Sequence, residues 1–161
     1  MEGKAVNESQ ITMAIQMNPE DANPVGNVHG GVIMKYVDTA AGAVAIRHAR
    51  KICVTASIDR LDFHHPVYIG DLLILKASIT MVGRTSMEVG VRVEAENLLT
   101  GNVRHTASAY LSFVAFDEKG VPTEVPPLIL ETEEETRRNC EAQIRREARL
   151  VQKNREDTCA T

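Results

Sequence analysis

A carboxylate, a carboxamide and a pair of glycines fall close together near the start of this chain, and each suits hydrolytic chemistry. On a helical wheel Asp38 sits at the edge of an apolar sector, beside Met34, Ala41 and Ala45. Partial desolvation there suits a carboxylate to work as a general base. The same position also suits an acid that reaches solvent or pairs with a neighbour. His29-Gly30-Gly31 stands where a helix must begin. Inside a helix each glycine costs about 1 kcal/mol. At an N-terminus the pair lets another group approach the backbone, and the free N–H groups and dipole favour negative charge. That describes either an oxyanion hole or a plain loop-to-helix turn. Asn23, fifteen positions before Asp38, reads by itself as a turn residue ahead of Pro24. Arg84, between Gly83 and Thr85-Ser86, is a cation in a tight turn. It fits a phosphate held by guanidinium and backbone N–H groups, or a solvated hairpin tip.

Other chemistries find little support. The five histidines have no metal-ligand spacing and no His-Glu-x-x-His occurs, so no metal is expected. There is no Gly-x-Ser-x-Gly elbow. The three cysteines are odd in number and lack Cys-x-x-Cys spacing, which argues against a disulfide framework or a zinc site. Reduced thiols fit a cytoplasmic protein. A net charge of −4 gives no basic footprint for nucleic acid. The first seven residues are polar, with no leader-like apolar stretch, and no apolar run approaches the roughly 18 residues of a membrane span.

The elements around these residues can be read from periodicity. Residues 9–17 alternate as a strand, with Ile11, Met13, Ile15 and Met17 on one side. A polar loop with Pro and Gly follows. Over residues 30–50, Ile33, Val37, Ala40 and Val44 recur at helical spacing beside Met34, Ala41 and Ala45. The small residues at 40–43 allow close approach of other backbone. Four strand-like segments come next. Ile52, Val54, Ala56 and Ile58 share one side of the first, opposite Cys53, Thr55, Ser57 and Asp59. The others centre on Leu73 to Met81, Met87 to Ala95 and Ala107 to Ala115, with Glu88, Arg92, Glu94 and Glu96 opposite the apolar face of the third. The pattern predicts an α+β domain: a strand, a long helix, then a four-strand meander. A Pro-rich connector over 117–130 leads to Thr132-Glu133-Glu134-Glu135, a capping box. The helix it opens has a narrow stripe of Cys140, Ile144, Ala148 and Val151 on an otherwise charged surface. It reads as peripheral, fraying from about Asn154.

The run Asp21-Ala22-Asn23-Pro24-Val25-Gly26-Asn27-Val28-His29-Gly30-Gly31-Val32-Ile33-Met34-Lys35, continuing Tyr36-Val37-Asp38-Thr39-Ala40-Ala41-Gly42, closely resembles the hotdog acyl-CoA thioesterases. The branch is that of the bacterial acyl-CoA hydrolases and the double-hotdog cytosolic enzyme. Asp62-Phe63-His64-His65-Pro66-Val67-Tyr68-Ile69-Gly70-Asp71, Gly83-Arg84-Thr85-Ser86-Met87-Glu88-Val89 and Glu96-Asn97-Leu98-Leu99-Thr100-Gly101 match in the same order. The likeness covers roughly residues 10–130 and divides the chain into a hotdog domain, 1–130, and a C-terminal charged helix and tail, 131–161.

The resemblance implies a five-stranded antiparallel sheet wrapped around one long helix. It implies homodimers, assembled as a trimer of dimers into a hexamer, with the active site between protomers. Its catalytic aspartate falls on Asp38 and its asparagine on Asn23, contributed by opposite protomers. Backbone N–H groups near Gly30 and Gly31 would stabilise the oxyanion. Asp38 would act as base or nucleophile. Substrate would meet His29, and coenzyme A would meet Val82, Gly83, Arg84, Thr85 and Ser86. No cofactor is required, because coenzyme A is part of the substrate and product. Two rivals share the fold: a non-catalytic acyl-CoA sensor, and an acyl-thioester hydratase or dehydratase using His29 with Asp38.

Overall fold

The computed structural model describes residues 1–159, with side chains through residue 156. The apolar stripe forms helix α1 (Gly30–Ala49), which buries Ile33, Val37, Ala40, Ala41, Val44, Ala45, His48 and Ala49. His29 caps its start, and Arg50 closes its end in the left-handed region, donating its N–H to the Ile46 carbonyl. Met34, expected in the buried sector, is instead exposed.

Strands β1 (Lys4–Ala5), β2 (Ile11–Gln16), β3 (Ile52–Phe63), β4 (Leu72–Val82), β5 (Ser86–Glu96), β6 (Val103–Phe116) and β7 (Leu128–Ile129) precede a second long helix, α2 (Glu133–Cys159). Five of the strands make one antiparallel sheet in the order β2-β4-β5-β6-β3. This is the sheet wrapped on one helix that the family likeness implies. The expected four-strand meander holds only for β4-β5-β6. β3 does not pair with β4; it crosses to the far edge and pairs with β6. The short β1 and β7 pair in parallel beside the sheet.

The inner face of the sheet meets α1 through Leu73, Leu75, Val89, Val93, Leu111 and Phe113, all buried. Gly42 faces the Phe113 ring: a Cβ built there would stand 3.7 Å from it. Small residues thus let the helix lie close under the sheet.

β3 departs most from its sequence pattern. Its pairing with β6 slips by one residue between Thr55 and Ser57 and again between Ile58 and Arg60, two β-bulges. The expected single apolar side is therefore broken. Ile52 and Val54 point outward, opposite Phe116 and Val114, and are 63% and 52% exposed. Cys53 and Thr55 point toward α1, opposite Ala115 and Phe113. Past the first bulge Ile58, and past the second Leu61 and Phe63, take the inner side, opposite Leu111, Ala109 and Ala107. Among the described residues the outer edge of β3 has no partner strand.

The Thr132–Glu135 capping box forms: Glu135 N–H donates to Thr132 Oγ1, and Thr132 N–H to Glu135 Oε2. The rest of α2 differs from expectation. Cys140, Ile144 and Val151 face outward, with Ile144 61% exposed. The face turned to the sheet carries Ala142, Arg145 and Arg149. The reason lies beneath it: the outer sheet surface presents Glu88, Asp59 and Thr80, and Glu88, read as opposite the apolar side of its strand, is 0% exposed. The helix also continues past Asn154 to Cys159 rather than fraying there. The fraying expected of residues 160 and 161, and the thiol of Cys159, lie outside the described residues.

His48 is buried on α1, with Nε2 2.9 Å from the Pro126 carbonyl and Nδ1 3.5 Å from Ser9 Oγ. Burial lowers its pKa below the ordinary 6.5, and the neighbouring Lys4 charge adds to this. The native state therefore holds His48 neutral more readily than the unfolded chain does. Its stabilising contribution is complete above pH 6.5 and declines as pH falls below that value. Urea-denaturation midpoints should fall on acidification, and less steeply in His48→Gln.

Candidate active site

Asp38 lies two turns into α1, on the row of Gly30 and Met34 that borders β3. Thr55 Oγ1 donates a hydrogen bond to Asp38 Oδ1 at 2.7 Å. Both groups are half-buried. The bond occupies one carboxylate oxygen and leaves Oδ2 as the oxygen available to take a proton. Thr55 was not singled out in the sequence. Its signal was the one inward hydroxyl on a strand bordering the Asp38 row, visible only once the face of β3 is known.

Asn23 is held in its loop by its own side chain. Oδ1 accepts the N–H groups of Val25 at 3.0 Å and Asn27 at 3.2 Å, and the Asn23 N–H donates to the Asn27 carbonyl at 2.7 Å. With the oxygen so engaged, the amide nitrogen is the end left to act, and it can only donate. The loop is steadied by the Val28 N–H to Val67 carbonyl bond and the Asn27–Tyr68 bridge. Asp71, buried, accepts the Tyr68 N–H at 3.0 Å and the Arg104 guanidinium at 2.6 Å.

Asn23 and Gly30 line one open cleft of about 340 Å³ with Ile33, Phe63, His64 and His65. Phe63 stands over Gly30, 3.6 Å from where a Cβ would be. Asp38 is not among the residues of this cleft. Eight residues of helix separate it from Gly30, about 12 Å along the axis. Within one chain, then, Asp38 with Thr55 and Asn23 with Gly30 are two separate groups along the same border of α1 and β3.

The glycines divide in role. The Gly31 N–H donates to His29 Nδ1 at 2.9 Å, so it is already satisfied. Gly30 itself lines the cleft. His29 is spent as a cap and makes no contact with Asp38. Val82, Gly83, Arg84, Thr85 and Ser86 form the β4–β5 turn at the opposite end of the sheet from Asn23. Ser86 there lies opposite Val114, while Phe63 lies opposite Ala107. Arg84 is exposed, and the turn is fastened by Val125 and Ala115 N–H groups donating to the Arg84 and Thr85 carbonyls. Within a chain this turn meets neither His29 nor Asn23. Cys53, one pleat from Thr55, has its thiol pushed up to about 11 by burial, which makes it a poor nucleophile. Among the described residues no group of three or more His, Cys, Asp or Glu is arranged to hold a metal ion, and no helix is long and apolar enough to cross a membrane.

A sequence profile described as the Thioesterase superfamily matches residues 25–101, the stretch that holds Gly30, Asp38 and Thr55. The chain is 41% identical over 128 residues to an uncharacterized acyl-CoA thioester hydrolase of Bacillus subtilis, covering 80% of this chain and 74% of that one. The chain belongs to the thioesterase superfamily. Solved thioesterases superpose closely. An apo hexameric acyl-CoA thioesterase gives a TM-score of 0.91 at 40% identity, covering 94% of this chain and 97% of the other. The acyl-CoA hydrolase of Staphylococcus aureus, solved with butyryl coenzyme A, coenzyme A and coenzyme A disulfide, gives 0.89 at 32% identity, covering 97% and 95%. The fold of this thioesterase is the hotdog fold.

The Thr55 hydrogen bond should matter to turnover more than to folding. Thr55→Val keeps the shape and removes the donor. A hydrogen bond to a charged group is worth about 1.5–3 kcal/mol, so kcat for thioester hydrolysis should fall about tenfold to a hundredfold, with the circular-dichroism spectrum unchanged.

Proposed function

We propose that this chain hydrolyses acyl-CoA thioesters to a free acid and coenzyme A at a site built by two protomers. The observation that carries the reading is the Asp38–Thr55 pair beside the unpartnered edge of β3. An exposed edge strand invites a second strand. Two-fold pairing of β3 edges would bring the Asn23–Gly30 half-site of one protomer toward the Asp38–Thr55 half-site of the other. Such dimers would then associate in threes, in line with the hexameric relative.

The mechanism follows from the donors and acceptors. The thioester carbonyl enters between the half-sites, its oxygen toward the Gly30 N–H and the Asn23 amide nitrogen. Asp38 Oδ2 takes a proton from water as the water oxygen attacks the carbonyl carbon. Negative charge gathers on the carbonyl oxygen, and removing one such donor typically costs about 10²–10³ in rate. Collapse expels the coenzyme A thiolate, which takes up the proton. Coenzyme A is thus part of substrate and product. His29 would lie beside the acyl carbonyl. Val82, Gly83, Arg84, Thr85 and Ser86 would reach the nucleotide end of a coenzyme A seated on another protomer. We place the reaction in the cytoplasm and treat 131–161 as an appendage to the catalytic domain 1–130.

Further support comes from the Staphylococcus aureus hydrolase, which has been solved as alanine variants of an aspartate, an asparagine and a threonine. Those three positions are spaced by fifteen and seventeen residues, as Asn23, Asp38 and Thr55 are. A DNA-linked sensor would need a free basic helix, whereas α2 turns Arg145 and Arg149 onto Glu88 and Asp59. A dehydratase would need a histidine paired with the acid, and His29 is committed to Gly31.

Thiol release from acyl-CoA esters of increasing length tests the activity directly. Turnover is expected in the wild type, with a loss of about 10²–10⁴ in Asp38→Asn. Binding without release from any ester would move the sensor reading to first place. The shared site is tested by complementation. Asp38→Asn and Asn23→Ala chains, inactive alone, are co-expressed in equal amounts. Half the dimers are then mixed, each with one intact site, so activity should recover to about a quarter of wild type. No recovery would place both residues in one chain's site.

A further inference from the structure

The outer face of the sheet holds a buried set of charges that the hydrolytic mechanism does not use. Glu88 on β5 is fully buried and accepts from two donor groups, the Thr80 hydroxyl and the Arg145 guanidinium. Thr80 Oγ1 lies 2.7 Å from Oε1, Arg145 Nη2 also lies 2.7 Å from Oε1, and Arg145 Nε lies 3.2 Å from Oε2. The Arg145 guanidinium rests on the Tyr110 ring, 3.7 Å from its centre. One turn further along α2, Arg149 pairs with Asp59 and stands 3.8 Å from Glu88 Oε2. Asp59 in turn accepts from Ser57 Oγ at 3.2 Å. Two guanidinium groups and two carboxylates balance in a place where a lone charge would be costly.

Asp59 is the extra residue of the second bulge of β3: Ile58 faces Leu111 and Arg60 faces Tyr110, so nothing on β6 stands opposite Asp59. The two bulges decide which side chains of β3 look toward α1. A slip of one residue would exchange the faces. Without the second bulge, Leu61 and Phe63 would turn away from the helix. Phe63 is the side chain over Gly30, and Ile58 lies between it and Thr55.

We propose that Arg149 is a positioning residue for substrate selection: its ion pair with Asp59 holds the bulged register of β3 that places Ile58 and Phe63 on the α1–β3 border between Thr55 and Gly30, where the proposed site would receive the acyl group. The inference rests on the thioesterase reading above. It assigns to the C-terminal helix a part in choosing the acyl group, although α2 lies on the opposite face of the sheet from Asp38.

The test compares wild type, Arg149→Met, Arg149→Lys and, as a control on an exposed turn of the same helix, Arg137→Gln. Thiol release is followed over short, medium and long acyl-CoA esters, and amide hydrogen exchange over residues 56–60. Arg149→Met should change the ratio of long-chain to short-chain kcat/KM by about tenfold, mainly through KM, the scale of a methylene gained or lost in an apolar pocket. Exchange at 56–60 should quicken. Arg149→Lys should restore most of the profile, and Arg137→Gln should match wild type. If Arg149→Met does not fold, the Arg149→Met/Asp59→Asn pair, which leaves no buried charge unpaired, takes its place. An unchanged chain-length ratio with lowered stability would overturn the inference and leave the thioesterase standing. No thiol release from wild type would overturn both.

Discussion

The close contact between α1 and the sheet is the constraint from which the other features follow. Four of the eight residues α1 buries are alanine, and Ala40 and Ala41 are wholly enclosed. Larger residues there would lift the helix from the strands. Asp38 would then move away from Thr55, because their hydrogen bond spans the gap between helix and edge strand. The short reach of aspartate and threonine means that this bond exists only in a tightly packed core. Packing and chemistry are thus one problem here: the residues that bring the layers together also fix the distance at which the acid is held.

The helix and the strands β2, β4, β5 and β6 were legible in the sequence because each has one apolar side, though in β4 a bulge between Ile79 and Met81 sets Met81, read on that side, opposite Glu88 instead. α1 follows a 3.6-residue stripe from Ile33 to Ala45, and β4, β5 and β6 bury Leu73, Val89 and Leu111 as alternation requires. β3 was legible as a strand but not in its faces. A bulge adds a residue without a compositional sign, so Ile58 and Phe63 share a side that simple alternation denies them. α2 was legible as a helix, and its capping box formed as read, but its orientation was not. An apolar stripe normally marks the buried side. Here the sheet beneath is acidic and hydroxylic, so the arginines face in and Ile144 faces out. Asp38, Asn23 and Gly30 could be proposed for the site only because several ordered blocks match a family. Composition and spacing alone left Asp38 open between a base and a boundary acid, Gly30 open between an oxyanion donor and a helix start, and Asn23 as a turn residue.

The two faces of the sheet solve different problems. The inner face is apolar over most of its area, with Thr55 a polar exception, and gives stability by burial. The outer face, under α2, is joined by charge-assisted hydrogen bonds that favour one arrangement over others more than they add to stability. Glu88 cannot shift along its strand without losing Thr80 and Arg145 together. Such a contact set tolerates little drift, which suits a helix that must meet the irregular part of β3 and no other.

The bare margin of β3 has a consequence for how the protein answers to its own abundance. On the two-protomer site proposed above, the catalyst would be second order in its chains at low concentration. Dilution would then remove working sites by mass action while every α1 remained folded. In such a system specific activity reports on association, and synthesis rate becomes a control on turnover steeper than proportional.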